Sequence, residues 1–279
     1  MKQILRRPFV GPMLFFIFVF CWTWAFWIPA AASGISVQTG PGRLLLVLGL
    51  LGPMLGGIGF TYATRTSGDW RDYWLRVFDV GRIPARWCAI ILLFAPMLFT
   101  IAVLLDLASG GGDAVAQISL MFTSFFSAPS TIAPFLLVTL VNGPIPEELG
   151  WRGYVLDRLQ MQWSAVMASV ILGVLWAIWH VPLFFLHGMK HDVGIRSLWF
   201  WLFVLQTIPV TIMFTWIFNN TSRSTLGAIL FHFMANVTAE LANKTDRTNL
   251  YSTVLWILAA AAVVACQGAS SPVRARRPS

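Results

Sequence analysis

The sequence predicts an all-α fold: a polytopic bundle of about eight membrane-spanning helices enclosing a polar cavity. Three observations predict it. Of the 279 residues, 57% belong to the set AVILMFWYC and only 11% are charged, against roughly 45–50% and about 25% in soluble domains. A soluble chain near this size buries at most about 75% of its surface, too little to hide so much apolar area. The apolar residues also come in uncharged runs close to the roughly 20 residues that cross a bilayer core.

The runs follow one another along the whole chain. Pro8 to Ala32 is the first, and Lys2, Arg6 and Arg7 before it resemble the start of a signal peptide. The run is too long for one and lacks a clear small-residue cleavage site, so it reads as a retained anchor. Leu44 to Ala63 and Trp87 to Leu105 are the second and third. The fourth lies in the second half of Ala114 to Pro146, after the Ser/Pro-rich segment Ser127–Thr131. Met161–Leu186, Leu198–Asn219, a short Ser224–Ala239 and Leu250–Ala265 complete the set. No repeat and no soluble second domain interrupts them, which predicts one integral-membrane domain over 1–279.

Charge gives the direction. With the N-terminus inside, 14 of the 19 basic residues fall on inner segments and 5 on outer loops. The inner set is Lys2, Arg6, Arg7, Arg65, Arg71, Arg76, Arg82, Arg86, Arg152, Arg158, Arg223, Arg274, Arg276 and Arg277. The positive-inside bias then predicts a multi-pass protein of the plasma membrane with both termini cytoplasmic. The net charge of +8 is thus a topology signal spread between apolar blocks, not a nucleic-acid patch. Cys21, Cys88 and Cys266 all lie in apolar runs, which excludes a disulfide scaffold. Several of the 14 tryptophans sit near span ends as an aromatic belt, but a belt does not need so many.

Ionisable groups at membrane depth cost about 2.5–3.5 kcal/mol each on insertion scales and are functional candidates by default. Glu147 and Glu148 follow Pro144 and Pro146, only 13 residues after Pro134. Either the helix continues with both carboxylates in the membrane, or it breaks at the prolines and a new helix begins. Glu148 and Arg152 are i,i+4 neighbours able to pair, which leaves Glu147 for another task. His180 lies deep in the fifth span, one turn after Trp176. His232 and Asn236 share a face of the short seventh span. The segment His187 to Asp192, with His191, reads as a solvated loop because Gly188 argues against a helix there.

A carboxylate, two histidines and an asparagine on three spans are what a buried hydrolytic site requires. The carboxylate can take a proton from water, and an imidazole can orient that water or bind a metal that lowers its pKa. An imidazole and an amide can donate to the oxyanion. No nucleophile elbow, phosphate loop or HExxH pair occurs.

In these residues the chain resembles the CPBP intramembrane proteases, the group of type II CAAX prenyl endopeptidases and bacteriocin-processing or self-immunity proteins. Its motifs EExxxR, FxxxH and HxxxN/D are matched in order by Glu147-Glu148-x3-Arg152, by Trp176-x3-His180 with tryptophan for phenylalanine, and by His232-x3-Asn236. The resemblance covers about 50–240, including Gly52-Pro53, with the motifs in 145–240. It implies a glutamate-dependent endopeptidase in which Glu147 and His180 activate water, His232 and Asn236 bind the oxyanion, and Glu148 and Arg152 support them. It also implies zinc as the candidate metal, with Glu147, His180 and His232 as ligands around an open position; a metal-free mechanism fits the same side chains. The implied partners are membrane lipid and a peptide or protein substrate, lipidated or not. Trp176 is expected to affect packing alone. The alternatives are a non-catalytic binding or immunity protein of the same fold and a small transporter, the latter disfavoured because the halves show no repeat symmetry.

Overall fold

The structure is a computed structural model describing residues 9–64, 69–189, 192–242 and 245–267, and among these every regular element is helical. The first is α1 (Val10–Ser33), followed by α2 (Gly40–Leu50) and α3 (Gly52–Thr64), which run end to end. Next come a short α4 (Asp69–Phe78), a long α5 (Ala85–Ala108), α6 (Asp113–Ser127) and α7 (Ile132–Val141). The chain then forms α8 (Pro144–Gly150), a π-helical turn Trp151–Val155 and α9 (Leu156–Gln160) without a break. Last are α10 (Ala165–Trp179) with a 3-10 turn Val181–Phe185, α11 (Leu198–Asn220), α12 (Thr225–Ala242) and α13 (Asp246–Gln267).

Among the described residues, six helices are long and apolar enough to cross a membrane: Val10–Ser33, Gly40–Thr64, Ala85–Ala108, Ala165–Phe185, Leu198–Asn220 and Asp246–Cys266. The chain is an integral membrane protein. The other two expected spans are present in altered form. The seventh is the 18-residue α12. The fourth is broken between α7 and α8, because in a continuous helix the Pro144 ring would meet the carbonyl four residues back. Prolines are tolerated in a first turn, so a new helix starts at Pro144 and continues to Gln160. The second outcome foreseen for Glu147 therefore occurs: the helix breaks, and Glu147 stands in the first turn of a new one.

Loops from distant parts of the chain gather at two faces. On one, Arg76 and Arg223 both bond Asp157, and Arg82 donates to the Ser222 carbonyl. Phe9 meets Trp163 there, which places the start of α1 at this face. At the other, Val37 donates to the His187 carbonyl, and Arg247 bonds Asp106 and Ser109. From that contact α13 runs antiparallel to α5, so its end returns to the arginine-rich face. This is the sorting that alternate crossing requires. Lys2, Arg6, Arg7, Arg65, Lys190, His191, Lys244, Arg274, Arg276 and Arg277 lie outside the described residues.

Two features fix the helices around the site. A Cβ at Gly57 would land on the Leu149 carbonyl and one at Gly150 on the Pro53 carbonyl, so α3 and α8 touch backbone to backbone. Small residues permit such approach where no hydrophobic force drives helices together. The surplus tryptophans also find a purpose. Pro53 lacks the N–H that would bond the Gly49 carbonyl, and Thr23 Oγ1 donates to it instead at 2.8 Å. Trp22 and Trp27 donate to the Leu48 and Leu46 carbonyls, and Trp179 Nε1 to Thr23 Oγ1. Unsatisfied backbone groups are costly in lipid, and these side chains add donors where α2 ends.

Candidate active site

The site forms where α8, α10 and α12 meet. Glu147 and Glu148 enter on consecutive positions of α8, and Arg152 follows on the π turn. All three are buried, Glu148 and Arg152 completely. Arg152 Nη1 donates to both oxygens of Glu148 at 2.8 and 3.0 Å, the expected i,i+4 pair. The rest of the guanidinium lies 4.0 Å over the Phe214 ring, a cation–π contact strengthened by desolvation. Glu148 Oε1 also receives His232 Nδ1 from α12 at 2.8 Å. Glu148 thus joins two of the three motifs.

His180 ends α10. Pro182 stops the helix, and the His180 ring turns back so that Nδ1 lies 2.7 Å from the Trp176 carbonyl. A carbonyl only accepts, so Nδ1 carries a proton and Nε2 is the nitrogen presented to Glu147 Oε2, 4.0 Å away. The same reasoning holds for His232, whose Nδ1 donates to a carboxylate and whose Nε2 faces the opposite way.

Gly143 shows where the polar atoms converge. A Cβ there would lie 3.1 Å from Asn236 Nδ2, 3.5 Å from Glu147 Oε1 and 4.0 Å from His232 Nε2. The expected pair on α12 and the expected base on α8 therefore address one small volume beside the Gly143 backbone. His180 stands on the far side of the carboxylate, next to Oε2. Helix rise explains how the motifs meet. Glu147 is ten residues from Asp157 at the arginine-rich face, roughly 15 Å of helix, and His232 is nine from Arg223, roughly 13.5 Å at 1.5 Å per residue.

Two indoles overturn the expectation for Trp176. Its Nε1 donates to Glu147 Oε2 at 2.6 Å, and Trp151 Nε1 approaches the same oxygen at 3.4 Å. The Trp176 position therefore bears on the proposed base directly and is not packing alone. The signal was available in part: buried indoles need an acceptor, and Trp151 and Trp176 stand four residues from Glu147 and His180. Gly143 carried no such signal, because its role depends on a helix 90 residues away.

A second set of contacts holds the motif helix from behind. A π turn leaves carbonyls without their usual helical donors. Tyr73 OH donates to the Leu149 carbonyl at 2.9 Å and Arg76 Nη2 to the Gly153 carbonyl at 3.0 Å. Both come from α4, which periodicity alone did not connect to the site. Burial raises the Tyr73 phenol well above its usual range, so it acts as a neutral donor.

The zinc set does not assemble. Among the described residues no three His, Cys, Asp or Glu side chains converge as metal ligands, and two N–H donors already point at Glu147 Oε2. The histidines do present Nε2 with Nδ1 held by an acceptor, as metal-binding histidines do, but Glu147 as arranged does not complete their set. His187 and Asp192 form an exposed pair at 3.2 Å away from the site; His191 lies outside the described residues.

Comparison with known proteins takes in the same segment. The sequence profile of the type II CAAX prenyl endopeptidase Rce1-like family matches residues 129–238. CAAX prenyl protease 2 of Methanococcus maripaludis is 30% identical over 257 residues, which span 91% of this chain and 93% of that protein.

Proposed function

Because the chain belongs to the type II CAAX prenyl endopeptidase family, we propose that it is an intramembrane endopeptidase in which Glu147 activates water without a metal. The observation that carries this reading is the convergence of Glu147 Oε1, Asn236 Nδ2 and His232 Nε2 on one volume beside Gly143. A water there gives a proton to Glu147 as its oxygen attacks the scissile carbonyl carbon. The carbonyl oxygen becomes an oxyanion and accepts the Asn236 N–H; donors placed where charge develops contribute the largest share of such catalysis. When the tetrahedral species collapses, the proton held by Glu147 passes to the leaving nitrogen and the C–N bond breaks. His180 stands beside Oε2, on the side of the carboxylate away from the water, and helps to orient the carboxylate. Glu148 and Arg152 fix the His232 ring.

The substrate is a peptide or protein reached from the membrane. The relative's name points to chains ending in a prenylated CAAX sequence. The arginine-rich face is proposed as cytoplasmic in the plasma membrane. The test is mass spectrometry of the products from a farnesylated CAAX peptide and its unlipidated counterpart, incubated with purified protein in nanodiscs. A single cleavage after the lipidated cysteine supports the reading. Intact peptides of both kinds would overturn the proposed substrate. Activity that disappears with a zinc chelator and returns with zinc would overturn the metal-free step.

A further inference from the structure

Glu147 has two oxygens, and the protein treats them differently. Oε2 receives Trp176 Nε1 at 2.6 Å from α10 and Trp151 Nε1 at 3.4 Å from the π turn. An indole nitrogen only donates, and a bond to an ionised acceptor is the stronger kind. Neither indole has room to turn away. Trp176 packs edge-on against His232 and Phe214, while Trp151 is wedged among Phe15, Phe16 and Trp179. Oε1 points the other way, toward the volume it shares with Asn236 and His232.

We infer that Trp176 and Trp151 are positioning residues that hold Glu147 Oε2 by their indole N–H groups and so reserve Oε1 as the atom that takes the proton from water. This rests on Glu147 being the proton acceptor. A phenylalanine, the residue of the FxxxH pattern, would fill the same space at 176 and leave the carboxylate free to rotate. It would then offer either oxygen to the water, in an orientation no longer fixed. The shorter bond makes Trp176 the stronger of the two.

Both parts of the inference can be measured. In 15N-tryptophan-labelled protein, the Trp176 and Trp151 indole signals are identified by their loss in Trp176→Phe and Trp151→Phe. Both should move upfield in Glu147→Gln, where a neutral amide replaces the carboxylate, with the larger change at Trp176. In cleavage assays Trp176→Phe should lower kcat about 10–100-fold, by analogy with the loss of hydrogen-bond partners that orient metal-ligating side chains, with KM unchanged and melting temperature near wild type. Trp151→Phe should lower kcat less. Indole signals that do not respond to Glu147→Gln, or a Trp176→Phe enzyme with wild-type kcat, would overturn the inference. If the wild-type protein cleaves no peptide, the peptidase reading fails, and the indole shifts alone decide whether the two tryptophans hold Glu147.

Discussion

Adjacent glutamates with the same chemistry occupy opposite situations. Glu148 is fully buried between Arg152 and His232, and removing one member of a buried pair typically costs about 3–5 kcal/mol. Glu148→Gln should therefore lower the melting temperature in detergent as well as activity. Asn236 differs again, since its Nδ2 faces the reacting volume. Asn236→Ala should lower kcat by about 10²–10³, the usual loss for one oxyanion donor, with little change in KM or melting. A variant that loses substrate affinity instead would make Asn236 a binding residue. Glu147, Glu148, Arg152, His180, His232 and Asn236 could be singled out in the sequence because ionisable groups, and an asparagine one turn from His232, are conspicuous in apolar runs. Trp176 is misread there because an indole in a run rich in tryptophan looks like packing until its acceptor is located.

At the scale of elements, the site depends on two joints that no span-by-span reading reveals. One is the close approach of α3 and α8 at Gly57 and Gly150. Gly57→Ala must push the Leu149 carbonyl away and with it the helix carrying Glu147. It should reduce both melting temperature and cleavage, whereas Gly59→Ala, where a Cβ meets open space, should melt as wild type. The other joint is α4 against the π turn, through Tyr73, Arg76 and the Arg76–Asp157–Arg223 cluster. Burial raises the Asp157 pKa, but the charges of Arg76, Arg223 and Arg158 outweigh it and hold the carboxyl below its ordinary value. A depressed folded-state value means that Asp157 stabilises the fold fully above its unfolded pKa of about 3.9, and that this contribution disappears as pH falls through the lower folded value. Melting should therefore weaken below about pH 4, and Asp157→Asn should flatten that part of the profile. An unchanged acid limb in Asp157→Asn would assign the loss to other carboxylates. α4 was hard to read in advance because it is short, charged and separate from the apolar runs, and its value lies in carbonyls that only a π turn exposes.

Across the whole molecule, hydropathy made the long spans legible and left the broken one ambiguous. Length alone cannot say whether 132–160 is one helix or two. The prolines mark the break, but only packing against α3 and α12 explains why the chain continues as a helix to Gln160. The loop faces agree with alternate crossing, and the basic bias predicts that the arginine-rich face is cytoplasmic. Reporters inserted after Ala32 and after Gly112 should read extracytoplasmic, and reporters after Arg76 and at Ser279 cytoplasmic. The reverse pattern would turn the site around without altering its geometry.

The central claim is that Glu147 is the group that accepts the proton of the attacking water. Glu147→Gln keeps the volume and the hydrogen bonds to both indoles but cannot take that proton. The decisive measurement is peptide cleavage by purified Glu147→Gln and wild-type protein, followed by mass spectrometry, with thermal melting of the same samples. The account predicts cleavage by the wild type only, at closely matched melting temperatures. Cleavage by Glu147→Gln at a rate near wild type would contradict it.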